Sequence, residues 1–206
     1  MSRQSVGRSA RLLARLLWGI GALRFGEFVL SSGARSPVYV DLRVVPSYPK
    51  VFRTVLSLLA SVAATEAGDA EAVVGVATGG VPWATGVAYL LGLPLGYVRP
   101  GRKGHGTGRL VEGDIRGCTL VVDDVATTGG SLARAVEALR EIGARPCYAL
   151  VVVDREQGAE ERLASLSVKL LRVTTLRELL LGAAEEGIVS RDEALRVISE
   201  LYGAKS

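Results

Sequence analysis

Short, unbroken apolar runs alternate with longer segments of helical period along most of this chain, and that alternation restricts the folds open to it. Ala72–Gly75, Leu95–Val98, Cys118–Val122, Cys147–Val153 and Val168–Val173 read as strands. Helices are expected from about Pro82 to Leu91, over Leu132–Ile142 with Gly143 as the stop, and over Glu160–Leu166. Strands apolar on both faces belong in a parallel sheet covered on each side, because helical crossovers return the chain to start each parallel neighbour. The expected fold is a doubly wound α/β domain, its mainly parallel sheet flanked by helices.

The first 45 residues do not share this alternation. Residues 9–18 have the period of a short amphipathic helix, and Glu27–Leu30 with Val38–Leu42 suggest a hairpin across Ser31, Ser32 and Gly33. They are expected to form a small N-terminal hood (1–45) on an α/β core (46–206), all within one domain. A helix from about Pro49 to Ala67, capped by Ser47 and stopped by Gly68, opens the core. Thr175 with Glu178 and Ser190 with Glu193 have capping-box spacing, so two more helices close the chain.

Composition narrows the function. With 206 residues, 49% of them hydrophobic, the chain can bury a sizeable core, and its 22% charged residues argue against disorder. The net charge of +4 comes from scattered basic residues without a Lys/Arg run, which suits an anionic small substrate better than nucleic acid. No window has the length of a membrane span and no signal peptide is visible, so a cytoplasmic protein is expected. Cys118 and Cys147 lack metal spacing and read as buried, inert thiols. Asn is absent and Arg far outnumbers Lys, a bias that a thermophile or a GC-rich genome would each produce.

Ligands of open α/β sheets bind beyond the carboxyl ends of the strands. Four polar or glycine-rich segments occupy those positions here: Val76–Gly80, Arg99–Gly108, Asp123–Ser131 and Asp154–Arg155. The third reads Val121-Val122-Asp123-Asp124-Val125-Ala126-Thr127-Thr128-Gly129-Gly130-Ser131. Backbone N–H groups at a helix start, approached through glycine and joined by the hydroxyls of Thr127, Thr128 and Ser131, make a phosphate site. The two carboxylates suit the hydroxyls of a sugar attached to that phosphate, so a ribose 5-phosphate satisfies both halves. No Gly-x-Gly-x-x-Gly follows a strand and no Gly-Lys-Ser/Thr occurs, which excludes the dinucleotide fingerprint and the Walker loop.

This segment resembles the signature of type I phosphoribosyltransferases, which bind phosphoribosyl pyrophosphate (PRPP). Phe25-Gly26-Glu27-Phe28, continuing through Leu30, Ser32-Gly33 and Ser36-Pro37 to Tyr39, is similar to the N-terminal signature of the orotate-specific members. Gly75–Pro82 resembles their pyrophosphate loop, and Arg99, Lys103, His105-Gly106 and Gly108 their mobile catalytic loop, here about 100–114. Asp154-Arg155-Glu156 resembles the segment whose Arg contacts the base. The resemblance implies transfer of phosphoribose from PRPP to orotate with Mg2+ held mainly by PRPP, release of pyrophosphate, and a homodimer whose loop closes over the neighbouring subunit's site. It implies Arg99 and Lys103 on pyrophosphate, with His105 donating to it or serving as proton donor. Asp123 and Asp124 would bind the ribose hydroxyls, directly or through magnesium-bound water. Thr127, Thr128, Gly129, Gly130 and Ser131 would hold the 5′-phosphate, Val125 and Ala126 would add to the PRPP contacts, and Arg155 with Thr127 would meet orotate. Catalysis would rest on Lys103, His105 and Asp124. Some members carry lysines where this chain has Ser31, Gly79 and Pro100. A different acceptor base, or a non-catalytic PRPP sensor, would share the phosphate turn. The Arg155 segment speaks for an acidic pyrimidine, and no helix-turn-helix precedes Phe25.

Overall fold

The apolar runs do pair as a sheet in the computed structural model of the protein, which describes residues 7–29, 33, 35–101 and 110–203. In chain order the elements are α1 (Arg8–Gly19), β1 (Leu23–Val29), β2 (Arg35–Val40), α2 (Pro49–Glu66), β3 (Ala72–Val76), α3 (Val81–Leu91), β4 (Leu95–Val98), β5 (Val111–Glu112), β6 (Cys118–Ala126), α4 (Gly130–Glu141), β7 (Arg145–Asp154), α5 (Ala159–Ser165), β8 (Lys169–Thr175), α6 (Leu176–Glu185) and α7 (Arg191–Tyr202). Two compact units result. One joins the described residues up to Phe52 with those from Thr174 onward, and the other spans 53–173.

The larger unit carries the six-stranded sheet, in the order β5-β4-β3-β6-β7-β8. β3 runs parallel to both β4 and β6, and β6 parallel to β7. The central strands are sealed on both faces: every residue of β3 is buried, as are Cys118 to Asp123 of β6. α4 packs Leu132, Ala135, Val136 and Leu139 into the core that β6 and β7 line with Val121, Ala149 and Val151. At about 25 cal/mol per Å2 of buried apolar surface, a layered core of this kind is the main favourable term of folding.

The smaller unit is the antiparallel hairpin β1–β2 with α1, α6 and α7. Its N-terminal part therefore shares a unit with the chain's last two helices. α1 buries Ala10, Leu13, Ala14 and Leu17. It comes so close to α6 that a Cβ on Gly182 would lie 3.0 Å from the backbone of Ala10. Thr175 and Glu178 form the full capping box expected at the start of α6, and Ser190 caps α7 by accepting from Glu193 N.

Several local readings change. Ser47 ends a 3-10 turn over Leu42–Ser47, and Asp41 caps that turn by accepting from Arg43 N. β5 forms within the stretch expected to be loop, as an antiparallel edge on β4. β6 continues four residues past its expected end at Val122, so both aspartates are strand residues. Cys118 and Cys147 are not separate thiols but a disulfide, with Cα atoms 5.6 Å apart. Thr119 pairs with Pro146 and Leu120 with Tyr148, leaving Cys147 as the extra residue of a bulge.

Candidate active site

The strand register decides which polar residues meet. Val76 pairs with Val98, Gly75 with Val122, and Ala126 with Asp154, so β3, β4, β6 and β7 all deliver their carboxyl ends to one edge. Ala77 N donates to Val98 O at 2.9 Å, and Arg155 N to Ala126 O at 2.9 Å. These bonds continue the ladder into the segments that carry the candidate residues.

Asp123 and Asp124 stand side by side near the end of β6. Asp124 N donates to Asp123 Oδ1 at 2.9 Å, and Val125 N to Asp124 Oδ1 at 2.8 Å. Asp123 is only 8% exposed, while Asp124 is half-buried. Burial, and next the charge of Asp124, push the Asp123 carboxyl well above the usual carboxylate range. The paired carboxylates offer acceptor oxygens at the strand end, suited to sugar hydroxyls or to water on a cation.

Beyond Ala126 the chain turns through exposed Thr127 and Thr128 into left-handed Gly129 (φ 71°), and α4 begins at Gly130. A Cβ on Gly129 would lie 3.0 Å from Ala159 Cα, so this position requires glycine for its dihedral and for its neighbour. No side chain caps α4. Its first-turn N–H groups and partial positive charge are left for an anion. Arg134 and Arg162, which the motif did not single out, add charge at this spot: their Nη1 atoms lie 3.6 and 3.4 Å from where a Cβ of Gly130 would be. Arg134 Nη2 also donates to Ser131 Oγ at 3.1 Å.

The loop after β3, with its cis Ala77–Thr78 peptide, closes the other side. A Cβ on Gly80 would fall on Val122 O and within 2.9 Å of Asp123 Cα, and one on Gly79 within 2.8 Å of Asp124 Oδ2. Both glycines let this loop lie directly against the aspartates. At the β4–β5 edge, Arg99 Nη1 pairs with Glu112 Oε1 at 3.2 Å, and Arg99 Nε is buried without a hydrogen-bond partner among the described residues. Register thus gathers Asp123, Asp124, the Thr127–Ser131 turn and Arg155 at one place. Lys103 and His105 lie outside the described residues.

This geometry can be set beside known proteins. Residues 47–170 match the family model described as a phosphoribosyl transferase domain. The orotate phosphoribosyltransferase of Aeropyrum pernix is 50% identical over 172 residues, covering 83% of this chain and 92% of the relative. The chain belongs to the orotate phosphoribosyltransferase family. The crystal structure of the Aeropyrum pernix family member superposes with a TM-score of 0.77 at 47% identity, covering 86% of this chain and 99% of that one. A Mycobacterium tuberculosis orotate phosphoribosyltransferase, solved in complex with PRPP, is 28% identical with a TM-score of 0.67, covering 83% of this chain and 98% of that one. The acidic pair lies near the end of β6 and the Thr127–Ser131 turn follows that strand directly, so folding β6 into the sheet brings both to one edge.

Proposed function

We propose that this protein transfers the 5-phosphoribosyl group of PRPP to N1 of orotate, giving orotidine 5′-monophosphate and pyrophosphate, a step of pyrimidine nucleotide synthesis. The observation that carries this reading is the acidic pair running directly into an uncapped, glycine-opened helix start, with Arg155 fastened beside it through Ala126. In the reaction the C1–O bond to pyrophosphate breaks, the C1–N1 bond forms, and N1 gives up its proton. Positive charge grows on the sugar ring and negative charge on the leaving group, so the site must clamp both ends and shed water.

Each residue has a place in that task. The Thr127–Ser131 turn holds the 5′-phosphate, with Val125 and Ala126 supplying the backbone that leads into it. Asp123 and Asp124 accept from the ribose hydroxyls and fix C1. Arg99, Lys103 and His105 face pyrophosphate, and Arg155 presents its planar fork to the orotate carboxylate beside Thr127. Among the described residues no three His, Cys, Asp or Glu side chains gather as a metal cage. The adjacent Asp123 and Asp124 carboxylates instead fit the water shell of a Mg2+ that arrives on PRPP. When bound, magnesium neutralises charge on the donor's oxygens.

The same reading makes the enzyme a cytoplasmic homodimer whose Lys103 loop serves the partner's site. Exposed Tyr89 and Leu90 on α3, and Leu95 and Tyr97 on β4, support a contact surface. None of the described helices is long and apolar enough to cross a membrane. The test mixes protein, Mg2+ and PRPP with single bases and follows orotate absorbance. Orotate is expected to be consumed with pyrophosphate released. Turnover of a purine or uracil with orotate untouched would overturn the acceptor, and PRPP binding without turnover would mark a sensor.

A further inference from the structure

We propose that Arg134 and Arg162 are ligands of the donor's 5′-phosphate, which they grip from the Gly130 side of the turn; this rests on the reading of the Thr127–Ser131 turn given above. Gly129 needs its glycine for a left-handed φ of 71° and for the approach of Ala159, but Gly130 is under neither demand. It opens α4 without a positive φ, and a Cβ there would meet its nearest neighbours at 3.4, 3.6 and 3.8 Å, which are ordinary contacts. Glycine at a helical position costs stability relative to alanine, so the fold alone gives no reason for it. The three neighbours supply one. They are Arg162 Nη1, Arg134 Nη1 and Thr128 Oγ1, all hydrogen-bonding groups and two of them cationic. A residue without a side chain leaves the space between them open.

Arg134 lies one turn into α4, and its Nη2 donates to Ser131 Oγ at 3.1 Å, so it is folded back toward the start of its own helix. Arg162 arrives from α5. Ala159 and Leu163 are buried in the core that Leu132 and Ala135 share, which seats α5 against α4 and fixes the backbone that carries Arg162. Neither guanidinium forms an ion pair with a carboxylate among the described residues. Two cations therefore converge beside the positive end of a helix, where they repel each other and the helix repels both. A bound anion reverses each of these terms. Phosphate matches the arrangement, because its oxygens can accept from two planar forks and from the first N–H groups of α4 together.

Titration with magnesium PRPP, steady-state kinetics and thermal unfolding of single variants test this. Both arginines are exposed, so neither substitution disturbs the core. Arg162→Gln is expected to weaken PRPP binding about tenfold and Arg134→Gln about threefold, while the orotate KM stays within about twofold of wild type. The unfolding temperature of the ligand-free protein should hold or rise, since a repulsion is relieved, while the upward shift given by PRPP shrinks. Arginines that merely brace α5 on α4 would lower the ligand-free unfolding temperature and weaken PRPP and orotate alike. That result, or an unchanged PRPP affinity in either variant, overturns the proposal. Ser131→Glu separates the two claims, because a carboxylate in the first turn of α4 suits the helix but opposes a phosphate. If it leaves PRPP affinity unchanged, the reading of the turn itself fails. If it abolishes PRPP binding while the arginine variants bind as wild type, only the present inference fails.

Discussion

Asp123 shows how a site is written into one residue's surroundings. Burial and its acidic neighbour hold its folded-state pKa above the unfolded value near 3.8, so the folded protein binds that proton more tightly than the unfolded chain. The associated stability is full below that value and is lost as pH rises through the raised one. Asp123→Asn should therefore stabilise the ligand-free protein at neutral pH, with the advantage fading to nothing below about pH 4, while turnover falls. Thermal unfolding across pH checks this, and equal pH profiles for the two proteins would refute it. Binding of magnesium PRPP should also release more protons from the wild type than from the variant, read by calorimetry in buffers of different ionisation enthalpy. The acids themselves were plain in the sequence, but their unequal burial was not, because it depends on β3 and β7 flanking β6. Gly80 is a similar case. Its place in a family-like loop was legible, yet the reason for it, contact with Val122 O and Asp123 Cα, exists only once β3 and β6 are paired. Arg134 and Arg162 are not legible as site residues, because surface cations on helices carry no local signal of what they approach.

Strands and helices were legible where pattern and length agreed, as in Leu95–Val98, which became β4 without change. Short or register-dependent features were not. β5 has two residues, too few for a period. The Cys118–Cys147 pair depends on a bulge in β7 that places Cys147 beside a strand starting 29 residues earlier in the chain. That closure makes a prediction at the level of the β6–β7 pair. A disulfide across such a loop restricts the unfolded chain and is worth about 3–4 kcal/mol in the chain-entropy model. Chemical denaturation with and without reductant should differ by that order, and Cys118→Ser joined with Cys147→Ser should match the reduced wild type. Thiol labelling in denaturant should find no reactive cysteine until reductant is added. Two thiols before reduction would show that the pairing is wrong.

For the whole molecule, the decisive question is whether one subunit completes the other's site. The acidic pair of β6 and the Thr127–Ser131 turn that follows it are contiguous in sequence, so they always belong to one chain, whereas Lys103 lies in a different segment, between β4 and β5. If Lys103 acts across a dimer, two inactive proteins can repair each other. Consider Lys103→Ala mixed with Asp124→Ala after subunits exchange. In a mixed dimer, one site takes its aspartates from the Lys103→Ala chain and its loop from the Asp124→Ala chain, so it holds both native residues; the other site holds both substitutions. Random exchange makes half of the dimers mixed, each with one working site of two, and about a quarter of wild-type activity should return. If Lys103 served its own chain, every site in every dimer would carry one lesion and nothing would return. Sedimentation must show dimers for the arithmetic to apply, and a monomeric enzyme with full activity would refute the shared site outright. Substituting Tyr89 and Leu90 by Glu, which should separate the subunits, is then expected to abolish activity although neither residue lies at the carboxyl edge of the sheet: the β6 site would keep its sugar and phosphate ligands and lose the lysine that its partner supplies.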